Sequence, residues 1–339
     1  MLQLEDLLEY AEKLENDDNV KVSLMFVTRK LKPGMKASAK VLDKFDFILN
    51  KVALSEEISQ YFKSVLINQI KTQASKDDIE VKPYTVIGDD LPQVYSYALN
   101  NALSFSKVIT EQARADNTPT INCLNDIKND LWAYCIKVKS GDKYTYSFRK
   151  VAKGKITTNT PDTLGKKLSA MFDKSEAELQ EFDGSVISFD DKIDCLCIDE
   201  QFYVFHKSGF EQILGLDEEF TKTAQETVEA IKGFDLVEGL DLVEKELLQK
   251  STIRKTLSSI KQKGNDKTLT KSEITAMNEI LQKLEGESFE ITEDGKIILS
   301  NSKDVKYFVK LLNDYYKQGM TTKKYYTSNA GSIIDPQGN

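Results

Sequence analysis

Apolar residues near the start of the chain recur at helical spacing and then change to strict alternation. Between residues 4 and 14 they fall on one face of a helix, at Leu4, Leu7, Leu8, Ala11 and Leu14. Residues 20–28 alternate apolar with polar positions, and this period of two predicts a half-buried strand. The spacing that follows predicts helices at 38–51, 56–72 and 92–106 and a strand at 80–87.

A period of two returns at Leu131 and predicts an antiparallel meander. Its strands cover 131–139, 143–151 and, less regularly, 155–158, and Ser140-Gly141-Asp142 forms the first turn. Thr160 or Asp162 then caps a helix that is predicted to run to Phe172.

The stretch from Phe182 to Phe220 organises the second half of the chain. Its β-branched, aromatic and cysteine residues predict three further strands in a meander, at 186–189, 193–198 and 202–206. Acidic turns separate these strands, and Ser208 is a suitable N-cap for a helix at 209–214.

Helical spacing dominates the remainder of the chain. It predicts four helices, at 218–231, 240–249, 252–263 and 271–284. A hairpin at 289–299 and a last helix at 302–316, capped by Ser302, follow them. We therefore predict an α+β fold of two domains, in which antiparallel β-meanders pack with helices. The loop-like segment Asp116-Asn117-Thr118-Pro119 places the boundary near residue 120, which gives an α/β domain at 1–120, an α+β domain at 121–325 and a flexible tail at 326–339.

Composition narrows the cellular setting. The chain is 40% hydrophobic and 29% charged, and none of its apolar runs approaches the ~20 residues that cross a bilayer. Its acidic, amphipathic beginning is unlike a signal peptide, so we expect a cytoplasmic protein without direct membrane insertion. In that compartment Cys195 and Cys197, which share one strand face, are expected to be buried thiols rather than a disulfide.

Charge is segregated along a chain whose net charge is −8. Between Lys137 and Lys174 ten basic residues stand against three acidic ones, so this segment carries +7. Lysines and tyrosines that alternate on strands could lie along a phosphate backbone without reading its sequence. A solvated edge strand that uses lysines against aggregation has the same pattern. The candidate DNA contacts are Lys137, Lys139, Lys143, Arg149, Lys150, Lys153 and Lys155.

Motifs for catalysis are scarce. The sequence lacks P-loop, dinucleotide-binding, serine-hydrolase and zinc-protease patterns, its single histidine is His206, and we predict no cofactor. A magnesium-dependent nuclease needs converging carboxylates and a lysine, and two short patterns offer them. One is Glu80-Val81-Lys82 after Asp77-Asp78, and the other is Asp162 with Asp190-Asp191-Lys192. A nuclease and a scaffold that binds only protein, through the acidic helices after Phe210, are therefore the alternatives to a non-enzymatic DNA binder.

Four short segments of the central stretch form a recognisable pattern: Phe189-Asp190, Ile193-Asp194-Cys195-Leu196, Phe202-Tyr203-Val204-Phe205 and Phe210-Glu211-Gln212-Ile213-Leu214. In this pattern the chain resembles the KwaB-like family, the cytosolic component of the bacterial Kiwa anti-phage system, and the resemblance covers roughly residues 120–300. It implies an effector that binds DNA and blocks phage replication and expression with KwaA, an integral membrane partner. Recruitment to the inner membrane would then come through that partner, and pairing of basic strips in a homodimer or higher homo-oligomer would strengthen DNA binding.

Overall fold

The fold is seen in a computed structural model. It describes residues 2–35, 45–76, 79–87, 93–98, 111–115, 118–151, 156–158, 170–173, 178–181, 185–267, 269–319, 321 and 323–327. The named helices, in chain order, are α1 (Leu4–Asn16), α2 (Glu56–Ala74), α3 (Lys207–Leu214), α4 (Leu216–Gly233), α5 (Leu240–Gln249), α6 (Ser251–Gln262), α7 (Lys271–Glu285) and α8 (Ser302–Leu312). The strands are β1 (Lys21–Leu31), β2 (Phe45–Val52), β3 (Val81–Pro83), β4 (Val94–Ala98), β5 (Leu131–Ser140), β6 (Lys143–Lys150), β7 (Ile156–Thr158), β8 (Ala170–Asp173), β9 (Glu178–Glu181), β10 (Ser185–Ile187), β11 (Cys195–Ile198), β12 (Gln201–Val204), β13 (Val237–Glu238), β14 (Glu290–Ile291), β15 (Ile297–Ile298), β16 (Tyr316–Gln318) and β17 (Tyr325–Thr327).

Helices and a mainly antiparallel sheet confirm the α+β class. Eight strands form the large sheet in the order β2-β1-β5-β6-β11-β12-β4-β3, and the pairings from β2 through to β4 are antiparallel. The described residues divide into two compact units, one within 1–82 and 94–215 and the other within 83–93 and 216–339. Because β1 pairs with β5 over eight residue positions, the segment around residue 120 lies inside the first unit. The predicted boundary near 120 therefore does not coincide with the division at residue 215.

The first unit buries one face of its sheet under α1 and α2. Leu7, Ala11 and Leu14 of α1 are almost fully buried, as the helical period predicts. They pack with Phe62 and Leu66 of α2 and with the inward residues of the sheet, which are Leu24, Phe26, Tyr134, Ile136, Val138, Leu196 and Tyr203. The predicted helix at 56–72 and strand at 20–28 are confirmed with small shifts of their ends.

Two predicted helices are strands where the structure describes them. The segment 38–51 overlaps β2 and the segment 92–106 contains β4, while 38–44, 92 and 99–106 lie outside the described residues. In β2, Phe47 and Leu49 are buried, whereas Ile48 between them is 40% exposed. Phe45, Ile48 and Leu49 fit helical spacing by coincidence, and pairing with β1 decides the strand.

The central stretch does not form one continuous meander. Strand β10 pairs with β7 in a separate two-stranded sheet, whereas β11 pairs with β6 and β12. The helix predicted to reach Phe172 is also wrong at its end, because 170–173 form β8 against β9. Ser208 lies inside α3, whose N-cap is His206. These pairings join strands that are distant in sequence, which local patterns do not encode.

The second unit is mainly helical. Helices α4 to α8 surround an apolar core that includes Val243, Leu257, Ile260, Val305 and Phe308. The predicted hairpin is present as β14 and β15, with β13 as a third, parallel strand. The last helix begins after Asn301, whose side chain accepts from the Lys303 and Asp304 amides, so the expected cap moves by one residue. None of the described helices is long and apolar enough to cross a membrane.

Candidate nucleic-acid interface

Strands β5 and β6 place two of the predicted lysines beside two tyrosines on one face of the sheet. Lys139 is paired across the strands with Tyr144, and Lys137 with Tyr146. The Lys137 ammonium lies 4.8 Å from the centre of the Tyr144 ring, and the Lys139 ammonium lies 5.2 Å from it. Tyr144 is 36% exposed and Tyr146 is buried. The end of this hairpin therefore carries two lysine ammonium groups that lie over a partly exposed tyrosine ring.

Strand β1 adds a cation that sequence reasoning missed. Lys21 is exposed and pairs directly with Lys139 across the strands. Like charges at directly opposite positions are normally unfavourable in a sheet, and this pairing places two positive charges side by side. Lys21 was assigned correctly to a strand, but its neighbour comes from more than a hundred residues along the chain. Lys21, Lys137, Lys139 and Tyr144 are called the lysine–tyrosine surface below.

The other predicted contacts do not join this surface. Lys143 pairs with Ser140 on the opposite face of the sheet, where the Ser140 hydroxyl donates to the Asp17 carboxylate at 2.6 Å. The hydrogen bond from Ser140 lowers the pKa of Asp17. Lys153 and Lys155 lie outside the described residues.

Lys150 lies at the far end of the same hairpin. Its ammonium donates to the carbonyls of Trp132 and Val151, each at 2.9 Å, and lies 3.8 Å from the centre of the Trp132 ring. Lys137 is four positions along β5 from Ala133, the partner of Lys150, which corresponds to about 13 Å along the strand. The two lysines therefore belong to different ends of the sheet.

Arg149 is held in an internal ion-pair hub. Its guanidinium donates to both oxygens of Asp190, at 3.0 and 2.8 Å, and to Asp194 at 2.6 Å. The side chains of Arg149 and Asp194 are 19% and 1% exposed. Desolvation opposes the charged form of Arg149, yet the bonds to both aspartates raise the pKa of its guanidinium. Burial raises the pKa of Asp194, while bonds from the Lys150 amide and Arg149 oppose that shift.

The same hub accounts for much of the central sequence pattern. The Asp194 carbonyl accepts from the amides of Phe205 and His206, which fixes the start of α3 against β11. Gly209 of α3 approaches so closely that a Cβ there would lie 2.1 Å from the Asp194 carboxyl carbon. Phe210 packs edge-on against Phe202, with 5.6 Å between ring centres. The pattern around 189–214 is therefore a packing arrangement that joins sheet and helix.

The candidate nuclease carboxylates do not converge where the structure shows them. Asp190 is bound by Arg149, and Glu80 lies 3.9 Å from its neighbour Lys82. Asp77, Asp78 and Asp162 lie outside the described residues. Within the part of the chain that the structure describes, no group of three or more metal-ligating side chains comes together.

Fold and site together define an α+β protein whose long antiparallel sheet carries a basic, tyrosine-backed end and a buried aspartate–arginine hub. A family model described as Kiwa protein KwaB-like matches residues 128–321, more than half of the 339-residue chain. The chain therefore belongs to the KwaB-like family, as its central pattern suggested, and is a component of Kiwa anti-phage defence. No curated protein and no solved structure matches the chain.

Proposed function

We propose that this KwaB-like protein contributes to defence by binding DNA through its phosphates, without reading base sequence. The observation that carries the proposal is the direct pairing of Lys21 with Lys139 beside the exposed ring of Tyr144. Strand pairing brings these two lysines to the same side of the sheet, where one phosphate could contact both ammonium groups.

The geometry suits a backbone more than a base. Lys137 and Lys139 are two residues apart on one strand face, about 7 Å, and Lys21 extends the row onto the next strand. Lysines act as point charges that contact phosphates without base discrimination, and an exposed tyrosine adds a stacking surface for an unpaired base. Duplex and single-stranded DNA are both acceptable ligands for such a surface.

A small basic surface on an acidic chain is expected to bind weakly alone. The chain carries a net charge of −8, and three lysines release few counterions. Two or more copies acting on one DNA would multiply the contacts, so the proposal includes a homodimer or higher homo-oligomer. Family membership supports action with a KwaA-like integral membrane protein that recruits the chain to the inner membrane and blocks phage replication and expression.

Fluorescence anisotropy with a short labelled duplex tests the proposal, with salt varied at constant pH. Binding should weaken as salt rises, and Lys139→Glu should weaken it at least about threefold and lower the salt slope by about 0.9. Lys13→Glu is the matched control, because Lys13 is exposed on α1 and, in the described part of the chain, forms an ion pair with its helical neighbour Glu9. Both variants change the net charge equally.

The following outcomes would reject the proposal. If the wild-type protein does not bind DNA at low salt, the proposal is wrong. If Lys139→Glu and Lys13→Glu weaken binding equally, only the total charge matters and the lysine–tyrosine surface is not the site. Cleavage products that require Mg²⁺ would replace a passive binder with a nuclease. Co-purification from membranes with its KwaA-like partner tests recruitment separately.

A further inference from the structure

A second basic site lies at the opposite end of the large sheet, around Arg29 of β1. The guanidinium of Arg29 is stacked between two rings from the neighbouring strands: its Cζ lies 4.3 Å from the centre of the Phe45 ring and 3.7 Å from that of Trp132. Because β1 lies between β2 and β5 in the sheet, the rings approach from either side. The guanidinium is thus held by two aromatic rings, which form the clamp.

Among the described residues, the hydrogen-bond donors of this guanidinium have no acceptor. In the described part of the chain, the Arg29 side chain has no hydrogen-bond or ion-pair partner and makes only the two ring contacts. The backbone amide of Arg29 donates to the Asp130 carbonyl at 2.8 Å, but the Asp130 carboxylate lies 3.8 Å from Lys30. A half-buried guanidinium without a counter-ion is unusual, since buried cations are normally paired.

Trp132 also contacts a second cation. The Lys150 ammonium lies 3.8 Å from the indole centre and donates to the Trp132 carbonyl, so two cations contact the same ring. The indole Nε1 is buried and, among the described residues, has no acceptor. Burial also lowers the pKa of Arg29, because desolvation disfavours its charge.

We infer that Arg29, clamped by Phe45 and Trp132, binds a phosphate group. The rings contact the guanidinium through their π-faces and accept none of its N–H groups, so its N–H edge remains for a ligand and matches two oxygens of a tetrahedral oxyanion. The clamp holds the fork in position before binding, so little side-chain entropy remains to be lost. The phosphate could belong to a free anion or nucleotide or to a nucleic-acid backbone, and the inference does not depend on DNA binding at the lysine–tyrosine surface.

Trp132 is the single tryptophan of the chain, so its fluorescence reports directly on this site. Inorganic phosphate titrated at constant ionic strength should change the emission in a saturable way. Arg29→Gln should weaken the affinity by about tenfold or more, because it removes a charge-assisted bidentate contact. Phe45→Leu, which retains the cation but opens one side of the clamp, should weaken it less. Lys13→Gln, which removes an exposed cation of α1 outside both basic sites, should leave it unchanged.

Further titrations identify the source of the phosphate. A mononucleotide that binds while duplex DNA leaves the emission unchanged indicates a free ligand, whereas DNA that changes the emission and is displaced by phosphate indicates the backbone. The inference is overturned if phosphate does not change the emission of the wild-type protein, or if chloride changes it equally. It is also overturned if Arg29→Gln binds phosphate with the same affinity as the wild type. Circular dichroism checks that each variant folds. If Arg29→Gln does not fold, the weaker phosphate binding expected of Phe45→Leu provides the test.

Discussion

Removal of the Arg149 guanidinium should destabilise the first unit rather than merely weaken DNA binding. Arg149→Met retains most of the aliphatic volume but leaves Asp194, whose side chain is 1% exposed, without its cation. Breaking a buried ion pair by deleting one partner costs about 3–5 kcal/mol, because the remaining charge is buried and uncompensated. Asp190, at 32% exposure, can be hydrated and should contribute little to this loss.

Urea denaturation followed by Trp132 fluorescence measures this effect within the same unit. With an m-value of about 2–3 kcal/mol per molar, the midpoint should fall by about 1–2 M urea. Lys137→Met is the matched control, since it also removes one cation from the hairpin, and its cost should be about 1 kcal/mol or less.

Two further measurements separate a buried charge from lost packing. In Arg149→Met the folded-state pKa of Asp194 rises further above its unfolded value, so the folded state binds a proton more tightly. The stability deficit should therefore shrink as the pH is lowered from neutral and Asp194 takes up its proton in the folded state. Adding Asp194→Asn should restore much of the loss. A deficit below about 1 kcal/mol, or a double variant whose loss equals the sum of the single losses, would refute the hub.

Three other variants test separate parts of the fold. Tyr10 donates a hydrogen bond to Thr145 at 2.5 Å, and burial raises the pKa of Tyr10 to about 12. The stability that depends on the protonated Tyr10 hydroxyl is complete below about pH 10 and is lost between about pH 10 and 12. Urea midpoints should therefore fall less at alkaline pH in Tyr10→Phe than in wild type. Gly209→Ala should lower the free energy of unfolding by about 2–3 kcal/mol in thermal unfolding, because the new Cβ would overlap Asp194. In the control Gly233→Ala the new Cβ meets nothing within 4 Å, so this variant should be neutral or stabilising. Equal effects of the two variants would contradict the close approach of Gly209 to Asp194. Asn301→Ala should lower stability by about 1 kcal/mol through loss of the α8 cap, and an unchanged melting temperature would count against it.

Periodic patterns in the sequence were sufficient to locate helices and strands wherever one face of the element packs against a core. Helices α1 and α2 and strands β1, β5 and β6 lie close to their predicted positions, since their apolar residues recur at 3.6 or at 2. The pattern failed at β2 and β4, whose short apolar runs fit both periods. In those segments the strand conformation depends on hydrogen bonds to β1 and β12.

The candidate site was predicted only in part for the same reason. Alternation placed Lys137 and Lys139 on one strand face, and the structure shows them together over Tyr144. It gave no indication that Lys21 would pair with Lys139, or that Arg149 would face Asp190 and Asp194. A basic run along the sequence is divided between both faces and both ends of a twisted sheet.

By itself, the amino-acid sequence determined the α+β class, most helices and the family, because these depend on local periodicity and on a contiguous pattern of residues. Only the tertiary structure decided which cations have internal partners and which do not. Strand pairing between residues more than a hundred positions apart brings charges together, and their energies depend on that proximity and on burial. The clamp around Arg29, drawn from three strands, exists for the same physical reason.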